Sequence, residues 1–557
     1  MRWIGYFGLW AFLAAVILLP VGLITAGGLS PVWLGEILRH PLYREGLYHA
    51  FTVATVVTIG AFCVTLPLAW LTWRFRFAGR GLAEALLLTP LILPPFVGAL
   101  GVFQLFGHYG IVNLLGTHLG LWTQGPDWLG DHRLALVCLI EILGLYPMLY
   151  LTLAASFSRL DPALIEAAQV AGADRWTVLR RIVLPLLKPG LFAGGAVIFI
   201  WSFTELGTPL MLGYDRITPV QIYNGLADIQ TNRLPLALVV VMLTVVAVLY
   251  AGGRLLAGPT HEALVAKGGG GGDGSRRLTG WRALLVWLPF AGLAFAATLP
   301  HLVVMLFSVA TDWYRTLLPA GVTLDLYRAA LAHPQVVTAI SNSLFYSTTA
   351  TAIAVVLGLS VAWISVRWKP RGAALLDGLA MVPLAVPGLI MAFGFLGVAL
   401  LIALTFPALK PFIDPQVNPA PMLILAYAVR RLPHVVRAVT AGLSQAPVAL
   451  EEAAAACGAG PWTRLRRITI PLIAGSLAAG ALLTFSFSMI EVSDSLILAQ
   501  QRDAWPVTKV IYELAVQLGQ GPALACAFGV WAMLFLASCL AAAAVFLGKG
   551  PTALFRS

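Results

Sequence analysis

Long apolar stretches alternate with short polar stretches along the whole chain. Twelve of them are long enough for a membrane-spanning helix, which needs about 20 residues, and the alternating ten-residue segments of a membrane barrel are absent. The sequence therefore predicts an all-α integral membrane protein with about twelve transmembrane helices. The predicted spans are residues 4–28, 48–73, 82–106, 133–157, 184–204, 235–257, 283–308, 339–366, 375–405, 419–442, 470–490 and 523–547.

The twelve predicted spans form two halves of six. Between the sixth and seventh spans, AKGGGGGDGSRR (266–277) contains five consecutive glycines, which behave as a flexible tether. The predicted domains are residues 1–258, a glycine-rich cytoplasmic linker at 259–280, and residues 281–557. The halves resemble each other in sequence, and two parallel repeats of this kind occur in many transporters.

Composition supports the membrane assignment, because 59% of the residues are hydrophobic and only 11% are charged. A soluble domain has about 25% charged residues. No basic run with interleaved aromatic residues accompanies the net charge of +11, so a nucleic-acid partner is not expected. With the N-terminus placed inside, 22 Lys and Arg residues fall in inner segments and ten in outer ones. This bias predicts a multi-pass membrane protein with both termini in the cytoplasm.

One polar segment occurs twice, 286 residues apart. EAAQVAGADRWTVLRRIVLPLLKPG (166–190) and EAAAACGAGPWTRLRRITIPLIAGS (452–476) agree at 13 of 25 positions. In the first copy, Asp161 and Asp174 are placed to cap two helices and Gly172 to end the first of them. The pattern predicts a helix–turn–helix at the inner face, with a smooth alanine surface that another protein can approach.

The spacing E-A-A-x3-G-x9-I-x-L-P resembles the motif of binding-protein-dependent ABC importer permeases. The matching residues are Glu166, Ala167, Ala168, Gly172, Ile182, Leu184 and Pro185 in the first half and Glu452, Ala453, Ala454, Gly458, Ile468 and Pro471 in the second. Ile470 replaces the expected leucine. The whole chain resembles the fused two-domain permeases of ferric iron import. This resemblance implies two tandem six-helix transmembrane domains of the type I importer fold in a bacterial inner membrane, with coupling segments at about 159–185 and 445–471.

The chain contains no G-x4-G-K-[ST] phosphate loop, because none of its lysines is followed by Ser or Thr. We therefore expect a transport subunit without enzymatic activity. The resemblance implies two ATP-binding cassette subunits, which bind ATP and Mg, and an extracytoplasmic solute-binding protein. The five cysteines and nine histidines form no ligand pattern, so this chain is expected to bind neither a metal nor a cofactor.

Charged residues within apolar spans are the candidates for the substrate path. The candidates are Glu205, Glu491, Arg430, Arg431 and Arg437; Glu141 also lies within an apolar span, and Asp494 adds a second carboxylate in the second half. The two glutamates are again 286 residues apart, and carboxylates suit a hard cation such as Fe(III). The arginines would instead suit an anion or an anionic chelate. The structural alternatives are interfacial hydrogen bonds or ion pairs for the glutamates and snorkelling to the headgroups for the arginines.

The resemblance favours ferric iron as the cargo, and phosphonate, sulfate, thiamine and polyamines are alternatives within the same class. An ion-coupled secondary transporter could share the two halves of six spans. It would not need a duplicated cytoplasmic glutamate–alanine–alanine segment, so ATP-driven import is the prediction.

Overall fold

A computed structural model describes residues 2–228, 232–257 and 276–546. The α-helices of the first half are α1 (Arg2–Gly28), α2 (Pro31–Arg39), α3 (Pro41–Arg74), α4 (Arg80–Leu87), α5 (Pro95–Phe106), α6 (Ile111–His118), α7 (Arg133–Ser158), α8 (Pro162–Val170), α9 (Arg175–Val178), α10 (Leu184–Phe203), α11 (Gly207–Met211), α12 (Thr218–Asn224) and α13 (Leu234–Ala257). Most of the predicted linker, up to residue 275, lies outside the described residues.

The α-helices of the second half are α14 (Trp281–Phe307), α15 (Asp325–Ala332), α16 (Pro334–Trp363), α17 (Ala373–Ala385), α18 (Gly388–Thr405), α19 (Lys410–Ile413), α20 (Ala420–Gln445), α21 (Val448–Ala456), α22 (Pro461–Arg464), α23 (Ile470–Leu472), α24 (Ala474–Met489), α25 (Ser493–Leu498), α26 (Val507–Ala515) and α27 (Gly521–Phe546). Single π-turns occupy Leu179–Val183, Ile364–Trp368 and Leu465–Thr469.

All twelve predicted spans coincide with helical segments, so the all-α fold is confirmed. Ten helices in the described ranges are long and apolar enough to cross a membrane, and one bent pair makes an eleventh. The tenth predicted span, α20, is 26 residues long but is not among those ten, because it carries three arginines.

Three predicted spans are not continuous helices. The third breaks between α4 and α5 and the ninth between α17 and α18, and in each case a proline, Pro94 or Pro387, precedes the new helix. Proline has no N–H to donate to the preceding turn, so a helix begins again after it. The eleventh bends by 77° between Leu472 and Ala474. Pro383, by contrast, lies within α17 without breaking it.

Each polar repeat lies beside the C-terminal end of a long helix, the first beside α3 and the second beside α16, and we call this the repeat end. The helix α3 is 34 residues long, about 51 Å at 1.5 Å per residue. Near its last turn, the Trp73 ring packs 5.8 Å from that of Phe157, just before the first repeat. At the N-terminus of α1, the Tyr6 hydroxyl donates to the Arg371 carbonyl oxygen near the second repeat. We call the other extremity the opposite end.

The first helix of each half packs against the other half. Pro20 of α1 packs closely on Gly394 of α18. A β-carbon added to Gly394 would lie 2.6 Å from Pro20 Cβ. Reciprocally, α14 packs on α5, where His301 hydrogen-bonds through Nε2 to the Pro94 carbonyl oxygen at 3.1 Å. At the repeat end, strand β1 (Phe75–Arg76) pairs in parallel with β2 (Arg276–Arg277). The two halves are therefore interlocked, because α1 packs on the second half and α14 packs on the first.

Candidate functional site

The first polar repeat and the residues just before it, within the segment 159–185, form the helix–turn–helix expected from the sequence. The Asp161 carboxylate accepts a hydrogen bond from the Ala163 N–H at 2.9 Å, which caps α8. Gly172 follows with φ +86°, a left-handed conformation that favours glycine. The Asp174 carboxylate then accepts from the N–H of Thr177, and the hydrogen bonds from this residue lower the pKa of Asp174. The predicted capping residues are confirmed.

The second polar repeat, residues 445–471, has the same backbone but a different anchor. Gly458 has φ +84°, as at Gly172. Proline and glycine replace the two capping aspartates. Instead, Arg367 at the end of the α16 segment donates from Nε to Glu451 Oε1 at 3.1 Å and from Nη2 to the Ala446 carbonyl oxygen at 3.0 Å. This repeat is thus tied to a long helix by a half-buried ion pair.

Both repeats present polar and apolar side chains to their surroundings. Glu166, Ala167, Glu452 and Ala453 are exposed, and Ala168 and Ala454 are half-buried. The equivalent residues Trp176 and Trp462 are 65% and 69% exposed, and Val170 is 90% exposed. Exposed apolar residues grouped with charged ones are typical of protein interaction surfaces. The two repeats therefore offer equivalent surfaces at one end of the protein.

Glu205 and Glu491 begin equivalent segments where the two halves meet. Each follows the predicted fifth span of its half and precedes a short buried helix, α11 or α25. A β-carbon added to Gly207 would lie 3.3 Å from Val492 Cγ1, so these segments touch across the boundary between the halves. The segments that begin at Glu205 and Glu491, which are 286 residues apart in the sequence, are therefore in contact in the structure.

Glu491 is held by two arginines of α20. Arg430 Nη1 lies 2.8 Å from Glu491 Oε1 and 3.5 Å from Asp494 Oδ2, and Arg431 Nη2 forms an ion pair with Glu491 Oε2. The two carboxylates are buried, and the arginine side chains are 17–20% exposed. We call Arg430, Arg431, Glu491 and Asp494 the charge cluster.

Glu205 has a different environment. Its Oε1 accepts from the N–H groups of Gly207 at 3.1 Å and Thr208 at 3.3 Å. The buried Glu141 lies close enough to interact with it electrostatically and accepts a hydrogen bond from Ser202. Positions 144 and 145, equivalent to the two arginines, hold glycine and leucine. Within the described ranges, the first half therefore brings two carboxylates together without a paired base.

The selected residues do not all come together. Glu205, Glu491, Arg430 and Arg431 lie within electrostatic range at the boundary of the halves. Arg437 is exposed and lies two turns along α20, so it is not part of the cluster. Asp494, noted from the sequence as the second carboxylate of this half, joins the cluster, and Glu141 lies within electrostatic range of Glu205. In the described part of the chain, no group of three or more His, Cys, Asp or Glu is arranged to hold a metal ion.

Gly388, directly after the break in the ninth predicted span, makes room for Arg430. A β-carbon at this position would lie 1.9 Å from Arg430 Nη1, and the ion pairs prevent the guanidinium from moving away freely. We expect Gly388→Ala to lower the free energy of unfolding of the purified protein by about 1–3 kcal/mol, the usual range for overpacking. The melting temperature should fall accordingly. Gly397→Ala in the same helix, where the space is open, is the matched control. Equal melting temperatures for the two variants would contradict this.

Two interlocked halves rich in long apolar helices, with equivalent exposed polar repeats at one end and a charged boundary between them, define a multi-pass membrane protein. Residues 52–257 and 354–545 match the family described as the binding-protein-dependent transport system inner membrane component. The chain belongs to this family, which confirms the resemblance drawn from its polar repeats.

Several relatives match one or both halves. A protein of Haemophilus influenzae provisionally named a ferric transport system permease is 26% identical over 484 residues, covering 84% of this chain and 70% of that protein. The ferric transport system permease of Actinobacillus pleuropneumoniae is 25% identical, covering 83% of this chain and 64% of that protein. A sulfate transport system permease of Escherichia coli is 30% identical over 213 residues, covering 36% of this chain and 71% of that protein.

Proposed function

We propose that this chain is the membrane-spanning subunit of an ATP-driven importer of ferric iron. The observation that carries the proposal is the pair of equivalent, exposed polar repeats at one end of a chain that belongs to the importer family in both halves. A surface duplicated in this way fits two copies of the same partner. In the proposal, each repeat docks on one ATP-binding cassette subunit, which binds ATP and Mg and hydrolyses the nucleotide.

The repeat end faces the cytoplasm in this proposal, together with both chain termini. The 22-to-10 distribution of Lys and Arg supports this orientation. The opposite end then faces the extracytoplasmic binding protein that delivers the cargo. Closure of the two cassette subunits would move both repeats and rock the halves about their boundary, exposing the path alternately to either side.

Ferric iron is supported by the extent of the similarity and by the charges at the boundary. The two relatives named for ferric transport match both halves, whereas the sulfate relative matches only about a third of the chain. The arginines that would serve an anion are already paired with Glu491 and Asp494. Glu141 and Glu205 instead place carboxylate oxygens, which hard cations prefer, beside the boundary.

Sulfate is the second candidate, favoured by the presence of Arg430 and Arg431 at the boundary. A transport assay on proteoliposomes containing the assembled complex distinguishes the two. We expect accumulation of radioactive ferric iron, supplied with its binding protein, and none of sulfate. The Glu205→Ala, Glu491→Ala double variant should lose this uptake, and unchanged uptake would assign both glutamates a structural role. Accumulation of sulfate alone would contradict the proposed cargo.

A further inference from the structure

A lysine and a tyrosine from different halves contact each other at the opposite end of the molecule. Lys509 on α26 is buried, 7% exposed, and its Nζ donates a hydrogen bond to the Tyr223 hydroxyl of α12 at 2.8 Å. The two residues are 286 positions apart, so they are equivalent residues of the two halves. Equivalent residues can touch only beside the axis that relates the halves. This contact therefore marks that axis.

The Lys509 ammonium group is enclosed mainly by its own half. Glu513 Oε1 lies 3.2 Å from Nζ, and the Trp505 and Tyr512 ring centroids lie 5.7 and 5.8 Å away. Among the described residues of the other half, Tyr223 contributes through its hydroxyl and through its ring, whose centroid lies 5.3 Å from Nζ. Separation of the halves here would break one charge-assisted hydrogen bond and one cation–π contact but leave the ion pair with Glu513 intact. Such a contact can be broken and remade without leaving a buried charge unpaired.

Both partners are held in place by their own halves. On the first side, Gln221 Nε2 donates to the Leu42 carbonyl oxygen at the start of α3. On the second side, the Val507 N–H donates to Ser343 Oγ of α16 at 2.8 Å. The hydroxyl of Thr508, adjacent to Lys509, donates to the Glu491 carbonyl oxygen at 2.6 Å. The contact is thus connected directly to the segment that bears the charge cluster.

We propose that Lys509 and Tyr223 form a latch that closes the substrate path at the end opposite the polar repeats. This inference rests on the proposed function, because a latch on the axis requires halves that separate to admit a cargo. Because both halves belong to one chain, equivalent positions in the two halves can hold different residues. Two lysines at equivalent positions would repel each other, whereas lysine and tyrosine attract, and their contact opens when the binding protein moves the halves apart.

The latch is tested by changing the charge at position 223 in the assembled complex in proteoliposomes. Tyr223→Lys places a second cation beside Lys509, so ATP hydrolysis without binding protein should rise by about fivefold or more. Tyr223→Glu places an anion there, so the closed end should be stabilised and uptake should fall by about fivefold or more. Exchanging the residues, Tyr223→Lys with Lys509→Tyr, should restore low hydrolysis. Asn224→Lys and Asn224→Glu, on the exposed neighbouring residue, are the matched controls.

Opposite effects of Lys and Glu at position 223, reversed by the exchange, would support the latch. Effects equal to those of the Asn224 controls, or no restoration by the exchange, would overturn it. If the charged variants fail to assemble, Tyr223→Phe removes only the hydroxyl and should still raise hydrolysis without binding protein; an unchanged rate would then refute the latch. Absence of ATP-dependent uptake by the unaltered complex is a separate outcome, which would refute the proposed function itself.

Discussion

Reversing the charge at Glu166 and Glu452 together is expected to abolish ATP-dependent uptake while leaving the chain inserted in the membrane. Both side chains are exposed on equivalent surfaces, so neither stabilises the interior. Disrupting a desolvated charge pair at an interface costs about 2–5 kcal/mol. Uptake should therefore fall by more than about tenfold. The measurement is uptake into proteoliposomes, beside co-purification of the cassette subunits.

The neutral double variant, Glu166→Gln with Glu452→Gln, is the matched control and should retain more uptake than the charge reversal. A thermal melt of the isolated permease should be unchanged in both. Full transport by the double arginine variant would remove the docking role of these residues. Gly458→Ala with Gly460→Ala as its control tests the backbone, because both sites are open but only Gly458 has a positive φ.

The second large effect is expected from Glu491→Ala, which should lower the free energy of unfolding by about 3–5 kcal/mol. The substitution leaves Arg430 and Arg431, at most 20% exposed, without their shared carboxylate. Removing one partner of a buried ion pair leaves an uncompensated charge, which is why the cost is large. Thermal melting of the detergent-purified protein is the measurement.

Glu205→Ala is the control that the duplicated chain provides. Glu205 accepts two backbone hydrogen bonds, and among the described residues no arginine forms an ion pair with it, so its loss should cost less stability. Replacing the whole charge cluster, Arg430 and Arg431 by methionine and Glu491 and Asp494 by leucine, should recover much of the melting temperature, since apolar residues can replace buried ion pairs. Equal destabilisation by Glu205→Ala and Glu491→Ala would contradict the different roles assigned to the two halves.

Local signals in the sequence predicted the spans and the polar repeats well. Length and hydropathy located helical segments at all twelve predicted spans, although three of these are interrupted and α20 carries too many arginines to count among the apolar spans. Short-range rules placed the caps at Asp161 and Asp174 and the turn at Gly172. Helix breaks were less predictable. Pro94 and Pro387 precede new helices while Pro383 remains inside one, because the effect of a proline depends on whether its surroundings can satisfy the freed carbonyl.

The environment of the candidate path residues depended on contacts distant in sequence. Glu491 is some 60 residues from the arginines that hold it, and spacing alone left open whether those arginines serve an anion, the lipid headgroups or an ion pair. The contact between Lys509 and Tyr223 could have been suspected by extending the 286-residue offset beyond the repeats. The geometry of this contact could not be predicted from the sequence, because it depends on how the two halves pack about the axis that relates them.

ATP-driven accumulation is the central claim, and one transport measurement tests it most directly. Sealed proteoliposomes would contain this chain and its cassette subunits, with the iron-loaded binding protein on the outside. ATP trapped inside should produce uphill accumulation of ferric iron, and neither a non-hydrolysable analogue nor a proton gradient should replace it. Accumulation that ignores ATP and follows the proton gradient would contradict the assignment.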